Sequence, residues 1–174
     1  DCGRVEYAFF YELSGPYDYI LNLSALKHVR SEKDPFTLMR LIEVNIFNTI
    51  NTLKLSKPSN LKNYFCVSTD KAANPVNMMG GSKRVMEMFL MRESLSQNIT
   101  LARFANVAFS DGSLLYGFEN RIKKKHPLAI PSDIRRFFVS PEESGQLCVL
   151  ACLIASDKEV IFPKIGKDFV DISL

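Results

Sequence analysis

Ser68-Thr69-Asp70-Lys71 gathers hydroxyl, carboxylate and amine groups in four consecutive residues. A carboxylate can act as general acid or base, and an amine with a lowered pKa can take a proton from carbon. A loop salt bridge or a helix N-cap would account for the same residues structurally. Just downstream runs Asn74-Pro75-Val76-Asn77-Met78-Met79-Gly80-Gly81-Ser82-Lys83. Lys83 follows Met79 by four residues, so the two share one face of a helix. Gly80 and Gly81 are poor helix formers at an early turn. They imply that something approaches the backbone closely there, the plain alternative being a frayed helix start.

The elements that must hold these groups read as alternating strands and helices. Residues 5–13 form a short helix that stops at Ser14-Gly15-Pro16, and Asp18 to Leu23 is a buried strand. After Pro35 a long helical pattern has Phe36, Met39, Ile42, Val44, Ile46, Phe47, Ile50 and Leu53 as its apolar face, ending near Lys57-Pro58. Tyr64 to Ser68 is a second strand, rich in aromatic and β-branched residues. A helix from about Met79 to Ser96 and a strand from Ile99 to Ala105 follow, with Met86, Met88 and Met91 expected in the core. Residues 113–125 read as helix and 127–138 as irregular with strand-like pieces. Pro141 opens a helix running to about Ala155, and Glu159 to Phe162 is a final strand.

This alternation predicts an α/β fold with a mostly parallel sheet flanked by helices. Ligands of such sheets bind beyond the carboxyl ends of the strands. Those ends are Leu23-Ser24-Ala25, Ser68-Thr69-Asp70-Lys71 and Phe104-Ala105-Asn106. Each sets small or polar residues directly after an apolar run.

Composition narrows the class. With 47% apolar and 24% charged residues in 174, the chain is globular, which excludes a disordered tail or a collagen-like fibre. The net charge of +3 is small and gives no case for nucleic acid as main partner. The one dense basic run is Arg121-Ile122-Lys123-Lys124-Lys125-His126. Cys2, Cys66, Cys148 and Cys152 lack C-x-x-C or zinc-finger spacing and read as small buried residues of a cytoplasmic protein, with no metal site. The longest apolar run, Leu147 to Ala155, is too short for a membrane span.

Asn22-Leu23-Ser24-Ala25-Leu26-Lys27-His28-Val29 resembles the segment after the fourth strand of nucleotide-sugar 4,6-dehydratases, members of the extended short-chain dehydrogenase/reductase superfamily. Ser68-Thr69-Asp70-Lys71-Ala72-Ala73-Asn74-Pro75 looks like that group's Thr-Asp-Lys signature, and Met79-Gly80-Gly81-Ser82-Lys83-Arg84 like its helix start. Arg103-Phe104-Ala105-Asn106-Val107 and Arg136-Phe137-Phe138 resemble its later substrate-side motifs. The similarity spans roughly residues 18–165 in the expected order. The nearest subgroup makes 4-keto-6-deoxy intermediates from UDP- or GDP-linked N-acetylglucosamine for surface sugars.

The resemblance implies an α/β, partial Rossmann-like parallel sheet, NAD or NADP as cofactor, a UDP- or GDP-linked amino sugar as substrate, and a homo-oligomer. It implies a net elimination: oxidation at C4, loss of the C5 proton, departure of the C6 hydroxyl as water, and return of hydride to C6. Lys71 would be the C5 base and Asp70 the acid for the leaving hydroxyl, with Thr69 on the C4 oxygen. Lys83 would hold the nicotinamide ribose. Ser24 and Ala25 would line the cofactor, with Asn45 and Ser68 close by. Asn106 and Arg136 would face the diphosphate, where a guanidinium fork suits phosphate oxygens. Lys27 and His28 would border the same pocket.

The chain departs from the pattern in two ways. The superfamily's usual Tyr-x-x-x-Lys has Met79 in the tyrosine position, and a thioether accepts no proton in such chemistry. A subset of these dehydratases shares the methionine, and the C4 base role then passes to Asp70. The chain also has no Gly-x-Gly-x-x-Gly after a first strand. Residues 1–112 are therefore expected to be the C-terminal part of a cofactor-binding domain. Residues 113–174 would be substrate-side segments with returning elements of that domain. The 174 residues alone are expected to bind NAD(P) poorly. An NAD(P)-dependent nucleotide-sugar epimerase and a non-catalytic nucleotide-binding module are the alternatives.

Overall fold

The computed structural model describes residues 3–57, 60–128, 135–164 and 171–173. Cys2 lies outside them. Four parallel strands make the main sheet in the order β1 (Tyr19–Asn22), β2 (Asn63–Thr69), β3 (Ile99–Phe104) and β6 (Val160–Ile161). A second sheet joins β4 (Asn106–Val107) in parallel to β5 (Arg135–Val139), with β7 (Asp171–Ser173) antiparallel on β5. The helices are α1 (Val5–Ser14), α2 (Pro35–Ile42), α3 (Asn48–Ser56), α4 (Met78–Glu93), α5 (Leu114–Lys123) and α6 (Pro141–Leu153).

Strand alternation divides the core in two. Tyr64 and Cys66 of β2, with Ile99 and Leu101 of β3, pack on Leu53 of α3 and Met86 and Leu90 of α4. Phe65, Ala102 and Phe104 point the opposite way, as a period of two requires, onto Cys148, Ala151 and Cys152 of α6. Both faces of β2 are thus covered, as parallel strands demand. The three described cysteines are free and buried. Burial pushes the Cys148 thiol up to about 11, the behaviour of a core residue and not a nucleophile.

The expected elements form, with five corrections. The first strand is not buried: Tyr19, Leu21 and Leu23 are 37%, 40% and 55% exposed, and within β1 only Asn22 is buried. The long helix after Pro35 is interrupted by a π-helical turn, Glu43–Phe47, between α2 and α3. Phe36, Met39 and Phe47 do not join the core, and Phe36 is 85% exposed. Met88 also faces outward, because it lies on the side of α4 away from the sheet while Met86 is buried. The last strand shrinks to two residues, Val160–Ile161.

Start signals are local and strong. Asp34 accepts from the backbone N–H of Thr37 ahead of Pro35. Ser140 and Glu143 form a reciprocal capping box on α6. Asn77 caps α4 by accepting from Gly80 N–H at 3.0 Å, and Glu32 accepts from Met78 N–H at 2.9 Å.

The close approach expected at Gly80 comes from the chain itself. A Cβ on Gly80 would stand 2.8 Å from the Lys71 carbonyl oxygen, whereas one on Gly81 would meet nothing within 4 Å. Gly80 therefore lets α4 lie against the 3₁₀ turn Asp70–Ala72. Gly80→Ala should destabilise by about 1–2 kcal/mol net, overpacking outweighing the gain in helix propensity. Gly81→Ala should be neutral or stabilise by up to about 1 kcal/mol. Urea unfolding of both variants checks this, and equal effects would contradict it.

Candidate functional site

Parallel strands end together, so the residues that follow them converge. A cleft of about 620 Å³ lies there, lined by Ala25 after β1, by Ser68, Thr69 and Lys71 at the end of β2, and by Ala105 and Asn106 after β3. Its far side includes Arg136 and Phe138 of β5, and Met79 and Lys83 of α4 form part of its wall. Lys27 and His28 complete the set of expected residues that reach it. All three strand ends marked by the sequence thus contribute.

Three expected residues do not line the cleft. Ser24 turns back to the end of β1, where its hydroxyl and N–H both donate to Asn22 Oδ1, at 2.6 and 3.1 Å. Asn45, buried in the π-helical turn, accepts from Leu26 N–H and donates to Leu26 O and to Ser82 Oγ. It ties the cleft wall at Leu26 to the start of α4. Asp70 stands one step outside the wall and is half exposed. Its Oδ1 accepts from Thr69 Oγ1 and from Lys71 Nζ, both at 2.9 Å.

Lys83 is 4% exposed. Its Nζ donates to Val67 O at 3.0 Å and touches Met86 Sδ. Burial pulls this ammonium below the ordinary lysine value, opposed by the charges of Cys66 and Glu87. One turn on, Glu87 accepts from Ser68 Oγ at 2.6 Å and from Arg103 Nε and Nη2 at 2.9 and 2.6 Å. Lys83 and Glu87 therefore grip consecutive residues of β2, Val67 and Ser68. Nothing in the sequence alone marks Glu87 as part of the site except its i, i+4 spacing from Lys83 on the sheet-facing side.

Ser110 and Ser113 also join the site, outside the residues expected there. Both line the cleft, and Ser110 Oγ accepts from Lys27 Nζ at 3.1 Å. The Ser-Asp-Gly-Ser run ahead of an apolar helix is their signal: Ser113 caps α5 and Gly112 takes φ +70° beside the His28 ring.

The residues present fit the nicotinamide-ribose end of a dinucleotide. Lys83 has three donors and, among the described residues, one oxygen acceptor. Ala25, Val67 and Ser68 line the same cleft. No cluster of three or more metal-ligating side chains occurs among the described residues, and no helix there is long and apolar enough to cross a membrane.

The sheet, its two helical layers and the cleft at the strand ends define an extended short-chain dehydrogenase/reductase fold. The chain belongs to the Polysaccharide biosynthesis protein family, which matches residues 7–173. An uncharacterised membrane protein of Methanocaldococcus jannaschii is 31% identical over 166 residues, 89% of this chain and 49% of that protein. The UDP-glucose 4-epimerase of Rickettsia rickettsii is 33% identical over 140 residues, 77% of this chain and 40% of the enzyme. The chain therefore spans half or less of the length of these relatives. Among solved structures, Pen from Bacillus thuringiensis superposes with a TM-score of 0.84 at 27% identity, over 95% of this chain and 52% of Pen. DesIV, a dTDP-glucose 4,6-dehydratase from Streptomyces venezuelae with NAD bound, gives 0.78 at 17% identity over 89% and 54%, a likeness of fold.

The Lys83 shift sets a pH dependence. Its folded-state value lies below 10.5, so between the two values the unfolded chain binds the proton more tightly. Stability therefore rises with pH through that window, levels off above 10.5, and below the window carries the full cost of burying the cation. Urea unfolding of wild type and Lys83→Met from neutral pH upward checks the sign. The wild type should gain on the variant as pH rises; a constant gap would contradict it.

Proposed function

We propose that the chain is the catalytic portion of a nucleotide-sugar 4,6-dehydratase acting on a UDP- or GDP-linked amino sugar. The observation that carries this reading is the direct contact between Asp70 Oδ1 and Lys71 Nζ at 2.9 Å, beside a cleft that Lys71 lines. Elimination across C5 and C6 needs this pair as a neutral amine, the base, beside a carboxylic acid. Lys71 gives its ammonium proton to solvent, and Asp70 gains its proton from the C4 hydroxyl in the preceding oxidation. A bound NAD or NADP would supply reversible hydride acceptance at the sugar.

In the elimination itself, the Lys71 amine takes the C5 proton of the 4-keto sugar. The electron pair forms the C5–C6 double bond, the C6–O bond breaks, and Asp70 gives its proton so that the oxygen leaves as water. Thr69, hydrogen-bonded to Asp70, would present its hydroxyl to the C4 oxygen. With Met79 in the cleft wall where a tyrosine base would stand, Asp70 takes the earlier C4 hydroxyl proton as well. Lys83 would hold the ribose, its charge favouring deprotonation nearby. Ala25 and Ser68 would border the cofactor, with Ser24 and Asn45 bracing that wall. Asn106 and Arg136 would meet the diphosphate, with Lys27 and His28 at the rim. The exposed apolar side chains Phe36 and Met39 on α2 and Val85 and Met88 on α4 would be covered by a second copy of the chain.

The 33% identity to a UDP-glucose 4-epimerase favours a second reading, epimerisation at C4. That reaction needs no base at C5, which leaves the Asp70–Lys71 pair without a task. Mass spectrometry of the product made by the protein in its full coded length decides between them. UDP- or GDP-N-acetylglucosamine should yield a species lighter by one water, and Asp70→Asn should reduce formation by at least about 100-fold, the usual contribution of a general acid. A product of unchanged mass would overturn the dehydratase reading.

A further inference from the structure

The basic run that closes α5 has no part in the cleft chemistry, and its surroundings make it a surface feature. Every residue from 121 to 128 is exposed. The chain's excess of 22 basic over 19 acidic side chains resides there: residues 119–128 hold Arg121, Lys123, Lys124 and Lys125 against Glu119 alone, and the remainder balances. Glu119 is taken up by Lys123 at 2.6 Å.

The run is a shaped hook. Lys125 N–H donates to Ile122 O at 2.9 Å and His126 N–H to Arg121 O at 2.8 Å, the paired bonds of a Schellman ending. Arg121 Nη1 donates to Pro127 O at 3.1 Å and draws the turn back against the helix. The left-handed position of that ending, φ +53°, is occupied by Lys125, where glycine is the unstrained residue. A helix dipole explains cations in the last turn, but not a lysine kept in a strained position beyond it. Ile122, between Arg121 and Lys123, is 62% exposed, and Leu128, three residues beyond Lys125, is 40% exposed.

We infer that this hook docks the protein on an anionic phospholipid surface, with Lys124, Lys125 and Arg121 against headgroup phosphates and Ile122 in the interface. Basic side chains interleaved with exposed aliphatic ones are what an interfacial segment presents. Residues 119–128 contain no Phe, Tyr or Trp on which a base could stack, His126 being the one ring, and an exposed Ile122 suits a lipid interface better than a nucleic acid.

Co-sedimentation of the chain with phosphatidylcholine vesicles, with and without phosphatidylglycerol, tests this without any turnover. It should bind only the anionic vesicles, and less as salt is raised. Lys124→Gln with Lys125→Gln should weaken binding by roughly 25-fold, about fivefold per lysine. If circular dichroism shows that the double variant misfolds, the single Lys124→Gln carries the comparison. Ile122→Ser should weaken vesicle binding while leaving the chain's retention by a single-stranded oligonucleotide unchanged. Absence of binding to anionic vesicles, wild-type binding by the lysine variants, or indifference to Ile122→Ser would each overturn the inference, the last marking a general polyanion patch or an acidic protein's site.

Discussion

The Glu87 carboxylate is 3% exposed and accepts from donors on two neighbouring strands, Ser68 of β2 and Arg103 of β3. Ser68 and Arg103 are partners in the β2–β3 register, so one helical side chain reads that register directly. A buried carboxylate is tolerable only with such a complement of donors, and stripping one partner from a buried pair costs about 3–5 kcal/mol. Arg103 keeps some contact with solvent, which places its pair with Glu87 toward the lower end. The same helix sends Lys83 to Val67 O. Two adjacent residues of β2 are therefore clamped to α4 immediately before Thr69, Asp70 and Lys71, and the direction in which that trio leaves the strand is fixed.

The rest of the cleft follows from this clamp. Gly80 lets α4 press on the turn that carries Asp70 and Lys71. Asn45, held in a π-helical turn, passes the position of α4 on to Leu26 and so to the wall after β1. Such turns recur at functional sites because they redirect a side chain that a regular helix would aim elsewhere. Lys27 and Ser110 then join the two loops at the rim. The Asp70–Lys71 contact is thus supported on one side by a buried ion pair and on the other by a network of side-chain hydrogen bonds.

Much of the fold was legible because its signals are local. Pro35 and Pro141 mark helix starts, and β2 is a run of apolar, aromatic and β-branched side chains. The strand-end rule brought Ala25, Thr69, Lys71 and Asn106 to one cleft before any contact was known. What escaped depends on long-range packing. Phe36 and Met88 carry the right residue type for a core, but their helices turn those faces away from the sheet. Glu87 looks like an ordinary surface acid until β3 places Arg103 opposite it. Ser24 and Asn45 belong to the site through what they hold in place, and such a role has no one-residue signature.

The central claim is that Lys71, as a neutral amine beside Asp70, removes the proton at C5 of a sugar nucleotide. Its most direct measurement is deuterium incorporation at C5 when the full coded protein acts on substrate in heavy water. Wild type should place one solvent deuterium at C5, and Lys71→Ala, with the fold intact by circular dichroism, should place none. Deuterium at C5 in the Lys71→Ala product, or a wild-type product inverted at C4 with C5 unlabelled, would contradict the account.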